Sequence, residues 1–279
     1  MSAAPARVGV VGHVEWMEFA VVPRWPAAGE IVHASQWFQE AGGGGAVAVV
    51  QMRKLAGHAS FFTVLGDDAV GERTRAELVD RHAIELHAVG RPTAHRRGFC
   101  HLDASTERTI TVLGERIVPH GDDPLAWERV AQLEGVYFTG GDAGALRAAR
   151  AARVLVATPR ALETIATAGV QLDVLVGSAT DPGEELDAAL DPPPRYVVAT
   201  AGAQGGTWTA ADGRNGAWVA TPLPGPPVDA YGSGDSFAAG LTYGLAAGMS
   251  LDDALVLGAR CGAQCLTGRG PYGSQLTLA

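Results

Sequence analysis

The stretch Val228-Asp229-Ala230-Tyr231-Gly232-Ser233-Gly234-Asp235-Ser236-Phe237 sets a carboxylate at a glycine-rich turn. An apolar helical pattern follows at once, at Phe237, Leu241 and Leu245, so a helix is predicted to start near Ser233 to Asp235. The first turn of a helix has backbone N–H groups without intrahelical partners, and the helix dipole adds positive potential there. Gly232 and Gly234 lack Cβ atoms, which lets an anion come close to the backbone. Asp235 is poorly placed to bind that anion, but well placed to take a proton from a nucleophile attacking it. The local chemistry is phosphoryl transfer to a hydroxyl group. The same residue types also make ordinary helix caps, a role open to Ser233 and Asp235.

Other segments carry chemistry of the same kind. Gly42 to Gly45 form a glycine run ahead of a helical pattern over 46–56, where a ligand could approach the backbone. The first strand runs into Gly12-His13-Val14-Glu15-Trp16-Met17. If extended, it places His13, Glu15 and Met17 on one face. Asp67 and Asp68 precede a helical pattern and are candidates to cap it. Ser178-Ala179-Thr180-Asp181 and Thr200-Ala201-Gly202-Ala203-Gln204-Gly205 are polar turns after strands. Lys54 is the only lysine, and nothing around it reads Gly-x-x-x-x-Gly-Lys-Ser/Thr, which excludes a P-loop kinase.

The elements that must position these residues alternate. Short β-branched runs are predicted as strands at 8–11, 60–64, 135–138, 154–156, 174–176 and 196–200. Helices are predicted over 46–56, 71–82, 143–152, 159–168 and 236–247. Nearly continuous apolar strands separated by helices indicate a parallel sheet covered on both faces. The segments 13–38 and 97–118 break that rhythm with strand-like pieces, the second turning near Asp103-Ala104-Ser105. They are expected to form a small β lid over the strand C-terminal ends, where ligands bind in such folds.

The chain has 279 residues, 47% of them hydrophobic, which suits one large α/β domain. A net charge of −9 argues against nucleic acid and against an anionic membrane surface as partners. Cys100, Cys261 and Cys265 are too few for a disulfide framework. Cys261 and Cys265 read as core thiols rather than a metal pair. No secretory h-region and no apolar run of spanning length is evident, so a soluble cytoplasmic protein is expected.

The segment ending in Asp235 resembles the Asp-Thr-Thr-Gly-Ala-Gly-Asp signature of the ribokinase-like carbohydrate kinases, the PfkB family. Asp229, Gly232, Gly234 and Asp235 match; Ala230, Tyr231 and Ser233 depart. The resemblance extends from about Val8 to Gly273 through an ordered set of landmarks. It implies a ribokinase-like three-layer α/β/α core with a mostly parallel sheet plus a small β lid, in one domain over 1–279. Asp235 would be the catalytic base, and the backbone of Gly232, Ser233 and Gly234 the anion hole. Ser178, Thr200, Gly202 and Gly205 would serve ATP. Asp181 would sit in the outer shell of Mg²⁺, in a Ser178-x-x-Asp181 version of the family's Asn-x-x-Glu.

The acceptor would be a small sugar or sugar-like alcohol, contacted by Glu15, Gly43, Gly44 and Asp235. A monovalent cation and a homodimer through the lid are further expectations. Departures cluster at the sugar face: Glu15 and Met17 replace the family's Asn and Asp, and Val47 its Asn. A nucleoside kinase, with Trp16 or Phe38 packing on a base, is one alternative. A catalytically weak sugar-binding regulatory protein is the other.

Overall fold

The structure, a computed structural model, describes residues 5–103, 108–184, 186 and 189–278. In chain order it contains β1 (Val8–Val11), β2 (Glu15–Val21), β3 (Gln36–Gly42), α1 (Gly43–Ala56), β4 (Ser60–Gly66), α2 (Ala69–Ala76), β5 (Glu85–Arg91), β6 (Arg97–Leu102) and β7 (Arg108–Leu113). Then follow β8 (Gly135–Phe138), α3 (Ala143–Ala149), β9 (Val154–Ala157), α4 (Leu162–Ala168), β10 (Val174–Ser178), β11 (Tyr196–Thr200), β12 (Gly206–Ala210), β13 (Asn215–Trp218), α5 (Ser233–Ala246) and α6 (Leu251–Cys265).

Two sheets share these strands. The large one has the order β13-β12-β11-β10-β9-β8-β1-β4-β5. It is parallel except where β12 and β13 fold back antiparallel at one edge. Its central strands are apolar throughout, and Val8, Val10 and Val11 are fully buried because helices cover both faces. Helices α1, α5 and α6 share one core cluster with β1 and β4, while α3 and α4 pack in a second cluster with β8 and β9. This is the three-layer ribokinase-like arrangement that the sequence implies.

The smaller sheet has the order β3-β2-β6-β7 and is the lid. Its inner face holds Met17, Phe19, Cys100 and Leu102 against Val47 and Tyr231. The first lid segment runs four residues past the expected end at 38, because β3 continues to Gly42 and passes without a loop into α1. The turn expected near Asp103-Ala104-Ser105 lies largely outside the described residues.

Other boundaries also shift. Helix α1 starts at Gly43, not Ala46: Gly43 enters it with a left-handed φ of +77°, and the glycines contribute no apolar periodicity. The helix expected over 71–82 begins at Ala69 and loosens into a wider turn over Glu77–Arg81. Helix α3 stops at Ala149, and 159–168 opens with a tight turn over Pro159–Ala161. Strands β5, β12 and β13 go unforeseen, being mixed in polarity and largely half-buried or exposed. Among the described residues no helix is long and apolar enough to cross a membrane.

Asp68, not Asp67, caps α2. Its Oδ1 accepts the N–H groups of Val70 and Gly71 at 3.1 and 2.8 Å, and its Oδ2 that of His95 at 3.0 Å. Asp68→Ala is expected to lower unfolding stability by about 1–2 kcal/mol in chemical denaturation, the cost of a lost cap. Asp67→Ala, at an exposed position, should change it by less than about 0.5 kcal/mol.

Candidate active site

In the large sheet the chain continues from β1 to β4 on one side and returns to β8 on the other. The crevice beyond the C-terminal ends of β1 and β8 is therefore the topological switch point, where open α/β sheets bind ligands. His13 and Glu15 follow β1 there, and Thr139 follows β8. The N-terminal ends of α1 and α5 reach the same place.

Gly232 caps α5 with φ of +80°, a left-handed conformation that favours glycine. Ser236 N–H donates to the Gly232 carbonyl at 2.9 Å, and Ser233 N–H makes a long 3.5 Å contact to that of Ala230. Among the described residues no protein acceptor takes the N–H of Gly234 or Asp235. A Cβ on Gly234 would meet nothing within 4 Å, so this backbone opens onto free space.

Asp229 pins the approach to this turn. It is buried, and its oxygens accept the N–H groups of Tyr231 at 2.8 Å and Gly270 at 3.0 Å. Burial pushes its carboxyl up, and those two hydrogen bonds pull it back. Tyr231, which stands where the family has Thr, accepts the N–H of Gly43 at 2.8 Å and packs edge-on to Phe19. It thus ties the start of α1 to the start of α5.

Asp235 is half-buried in the first turn of α5. Loss of solvation, then the Glu184 carboxylate, raises its pKa to about 6, while Arg108 and Arg160 act to lower it. The backbone of α1 comes so close that a Cβ on Gly44 would stand 2.7 Å from Asp235 Oδ1. A Cβ on neighbouring Gly43 would stand 3.3 Å from both Glu15 Cγ and His13 Cδ2. Asp235, Gly44, Gly43 and Glu15, all singled out in the sequence, are thus brought into one cleft.

Glu15 is buried, with Oε1 2.8 Å from Arg96 Nε. Burial raises its pKa, and Arg96 and Arg116 oppose that rise. His13 is held neutral, first by burial and then by the charges of Arg116 and Arg96. Met17 and Val47 are fully buried in the lid core and offer no polar contact. Trp16 lies on the opposite face of β2, under the Arg73 guanidinium, and Phe38 stacks on Phe19. Neither aromatic is placed beside Glu15.

A second region opens along α5 away from Asp235. Thr200, Gly202, Gly205, Ser233 and Gly234 line a cleft of about 440 Å³. Trp218, Leu223, Phe237 and Leu266 give it an apolar wall, with the Trp218 and Phe237 rings stacked at 5.6 Å. Its shape and chemistry suit a flat base at one end and phosphates at the N-terminus of α5.

Ser178, on β10, pairs in register with Thr200 and bonds Thr180, so it stands beside this cleft rather than lining it. Asp181 is paired with Arg160 and accepts Gly183 N–H at 2.9 Å. The carboxylate that acts on Asp235 is Glu184, whose Oε2 accepts Ser178 N–H at 2.7 Å and whose Oε1 pairs with Arg160 at 3.0 Å. Asp181 and Glu184, joined by Arg160, form a hard, oxygen-only donor set of the kind that fits Mg²⁺. Their protein contacts leave them suited to an outer shell. The sequence gives no signal for Glu184, Arg96 or Arg116, while the strand alternation that singles out Glu15 places His13 on the same face.

The family model for pfkB family carbohydrate kinases matches residues 6–175 and 161–278. The chain belongs to the pfkB family of carbohydrate kinases. Among solved structures it is similar to a microbiome-derived acarbose kinase, at 21% identity and TM-score 0.80 over 98% of this chain and 96% of that one. It is also similar to ribokinase from Thermotoga maritima, at 17% identity and TM-score 0.78 over 98% and 96%. Arabidopsis thaliana ribokinase, complexed with ribose and ATP, gives 18% and 0.75 over 97% and 96%. No curated protein matches the chain.

Gly234 gives a clean test of the anion cradle, because a side chain there meets no protein atom in the immediate neighbourhood. Gly234→Val should leave the fold intact by circular dichroism, yet weaken binding of a non-hydrolysable ATP analogue by at least about ten-fold. Wild-type nucleotide affinity in the folded variant would remove the cradle from this turn.

Proposed function

We propose that this protein transfers the γ-phosphate of ATP to a hydroxyl of a sugar or sugar-like alcohol, with Asp235 as general base. The observation that carries the reading is the meeting of the Asp235 carboxylate with free backbone N–H groups at the start of α5. Asp235 takes the hydroxyl proton as the acceptor oxygen attacks phosphorus. The new O–P bond forms, the bond to the β-phosphate oxygen breaks, and ADP leaves. The N–H groups of Gly232, Ser233 and Gly234, with the positive end of the α5 dipole, hold the charge that develops on the γ-phosphate.

Thr200, Gly202 and Gly205 border the nucleotide, whose base lies against Trp218 and Phe237, and Ser178 supports the phosphate side. Mg²⁺, when bound, neutralises the phosphate oxygens. Asp181 and Glu184 would hold it through water. Gly43 and Gly44 let the acceptor approach the backbone of α1, and Glu15 accepts hydrogen bonds from its hydroxyls. A nucleoside acceptor is the less favoured reading, because neither Trp16 nor Phe38 stands beside Glu15.

A base whose carboxyl titrates near 6 is mostly ionised at neutral pH and still basic enough to matter. Asp235→Asn should lower kcat by at least about 100-fold while ATP affinity changes little. In the unaltered enzyme kcat/KM should fall about ten-fold per pH unit below about 6, the acid limb of an essential base.

Stability should move the other way. A carboxyl whose pKa is raised on folding adds stability below its ordinary value near 3.8 and loses it as pH rises through about 6. Asp235→Asn is therefore expected to raise Tm at pH 7.5, with the gain vanishing below about pH 4. An unchanged Tm at pH 7.5 would show that the Asp235 carboxylate is not strained by its burial.

Glu15→Gln should raise the acceptor KM by about ten-fold and leave the ATP KM within a factor of about two. Equal acceptor KM for both proteins would take Glu15 out of the site.

A further inference from the structure

Arg116 follows the last lid strand and reaches back over the switch point. Its Nη2 donates to the Thr139 carbonyl at 2.7 Å and to His13 Nδ1 at 2.9 Å. One guanidinium nitrogen therefore joins the C-terminal ends of β1 and β8. Because His13 is neutral and accepts through Nδ1, its proton sits on Nε2, which faces Glu15 Oε1 at 3.9 Å. Both partners of Arg116 are neutral. Among the described residues no carboxylate lies within 4 Å of it, and its other guanidinium donors have no protein acceptor. The side chain is exposed to the cleft rather than sealed in the core.

Arg96 adds a second guanidinium. Its backbone carbonyl accepts Trp16 N–H at 3.0 Å, which fixes it beside β2, and its Nε lies 2.8 Å from Glu15. Arg96 pairs with Glu15 directly and Arg116 acts on it only at longer range, so two guanidiniums share one carboxylate. Thr139 connects this charge to the catalytic end. Its Cγ2 lies 3.7 Å from the position of a Cβ on Gly44, the same position that would stand 2.7 Å from Asp235 Oδ1. The nucleotide turn at Thr200 begins at the end of β11, three strand spacings or about 14 Å from β8. The free guanidinium therefore lies on the β1–β8 side of Asp235, away from the turn at Thr200.

Resting on the kinase reading above, we propose that the acceptor carries an anionic group, phosphate or carboxylate, which the free donors of Arg116 bind while the acceptor hydroxyl meets Asp235. A guanidinium with unfilled donors in a fixed fork matches the paired oxygens of either group. With two guanidiniums against one carboxylate this side of the cleft carries a surplus positive charge, which an anionic ligand balances on binding. A neutral sugar cannot. Burial and the neighbouring charge of Arg96 act to lower the Arg116 pKa, and the Glu15 carboxylate opposes them.

The test uses matched acceptors: fructose against fructose 6-phosphate, and glucose against gluconate and glucose 6-phosphate. ADP release is measured with ATP and Mg²⁺, and each compound is also titrated calorimetrically. The expected result is a kcat/KM, or an affinity, at least about ten-fold higher for a charged member than for its neutral partner. The gluconate and phosphate arms separate carboxylate from phosphate as the group recognised. Arg116→Gln should shrink that charged-to-neutral ratio by about ten-fold without changing the ATP KM, and Arg116→Lys should restore part of it.

Equal or better use of the neutral members overturns the inference and leaves the kinase reading standing. An unchanged ratio in Arg116→Gln overturns it likewise, as does binding of no member at all. Charged members that bind wild type but not Arg116→Gln, with no ADP released, uphold the anion site and overturn the kinase reading instead.

Discussion

The cleft at the switch point depends on how closely the backbone of α1 approaches the Asp235 carboxylate. A Cβ on Gly44 would stand 2.7 Å from Oδ1, so a side chain there would have to push the carboxylate aside. That closeness takes water away from Asp235 and raises its pKa to about 6. It also aims the N-terminal ends of α1 and α5 at the same carboxylate and at whatever stands beside it. Tyr231 holds the arrangement, with its phenol on Gly43 N–H and its own N–H on buried Asp229. Asp229 in turn accepts Gly270 N–H, so the C-terminal loop is fastened to the same turn. Loosening these contacts would let water reach Asp235 and return its carboxyl toward its ordinary pKa.

Much of this was open to sequence reading for local reasons. The start of α5 is legible because a polar, glycine-rich turn gives way abruptly to apolar residues at helical spacing. The parallel sheet is legible because its central strands are apolar on both faces, a pattern that little else produces. The two lid segments stand out as strand-like pieces with no helix between them. The family resemblance then ordered these landmarks.

What the sequence hides is long-range. Glu184 lies next to a residue outside the described set, in an acidic tract that carries no periodicity, and only the fold back over β10 brings it to Asp235. Arg116 is an isolated arginine after an exposed strand, and nothing local marks it as the residue that bridges His13 and Thr139. The missing glycine signal at the start of α1 has a different origin. Gly43 to Gly45 contribute no apolar face, so a periodicity count begins three residues late.

The departures from the family pattern have a common physical outcome. Met17 and Val47 stand where the family has polar sugar ligands, and both are fully buried with Phe19 and Tyr231. The exchange replaces hydroxyl-binding groups by an apolar seam that fastens the lid to α1 and α5. Burying apolar side chains of this size stabilises by roughly 1.5–3 kcal/mol each, so the seam favours a lid that stays on its support. Polar recognition of an acceptor must then come from residues outside that seam. His13, Glu15, Arg96 and Arg116 are the group that remains, and they lie on the rim of the crevice between β1 and β8. Three of them balance one another: His13 is neutral, and Glu15 is matched by Arg96. Arg116 sets a second guanidinium over that one carboxylate, and its free donors are what the proposed anionic group of the acceptor would meet.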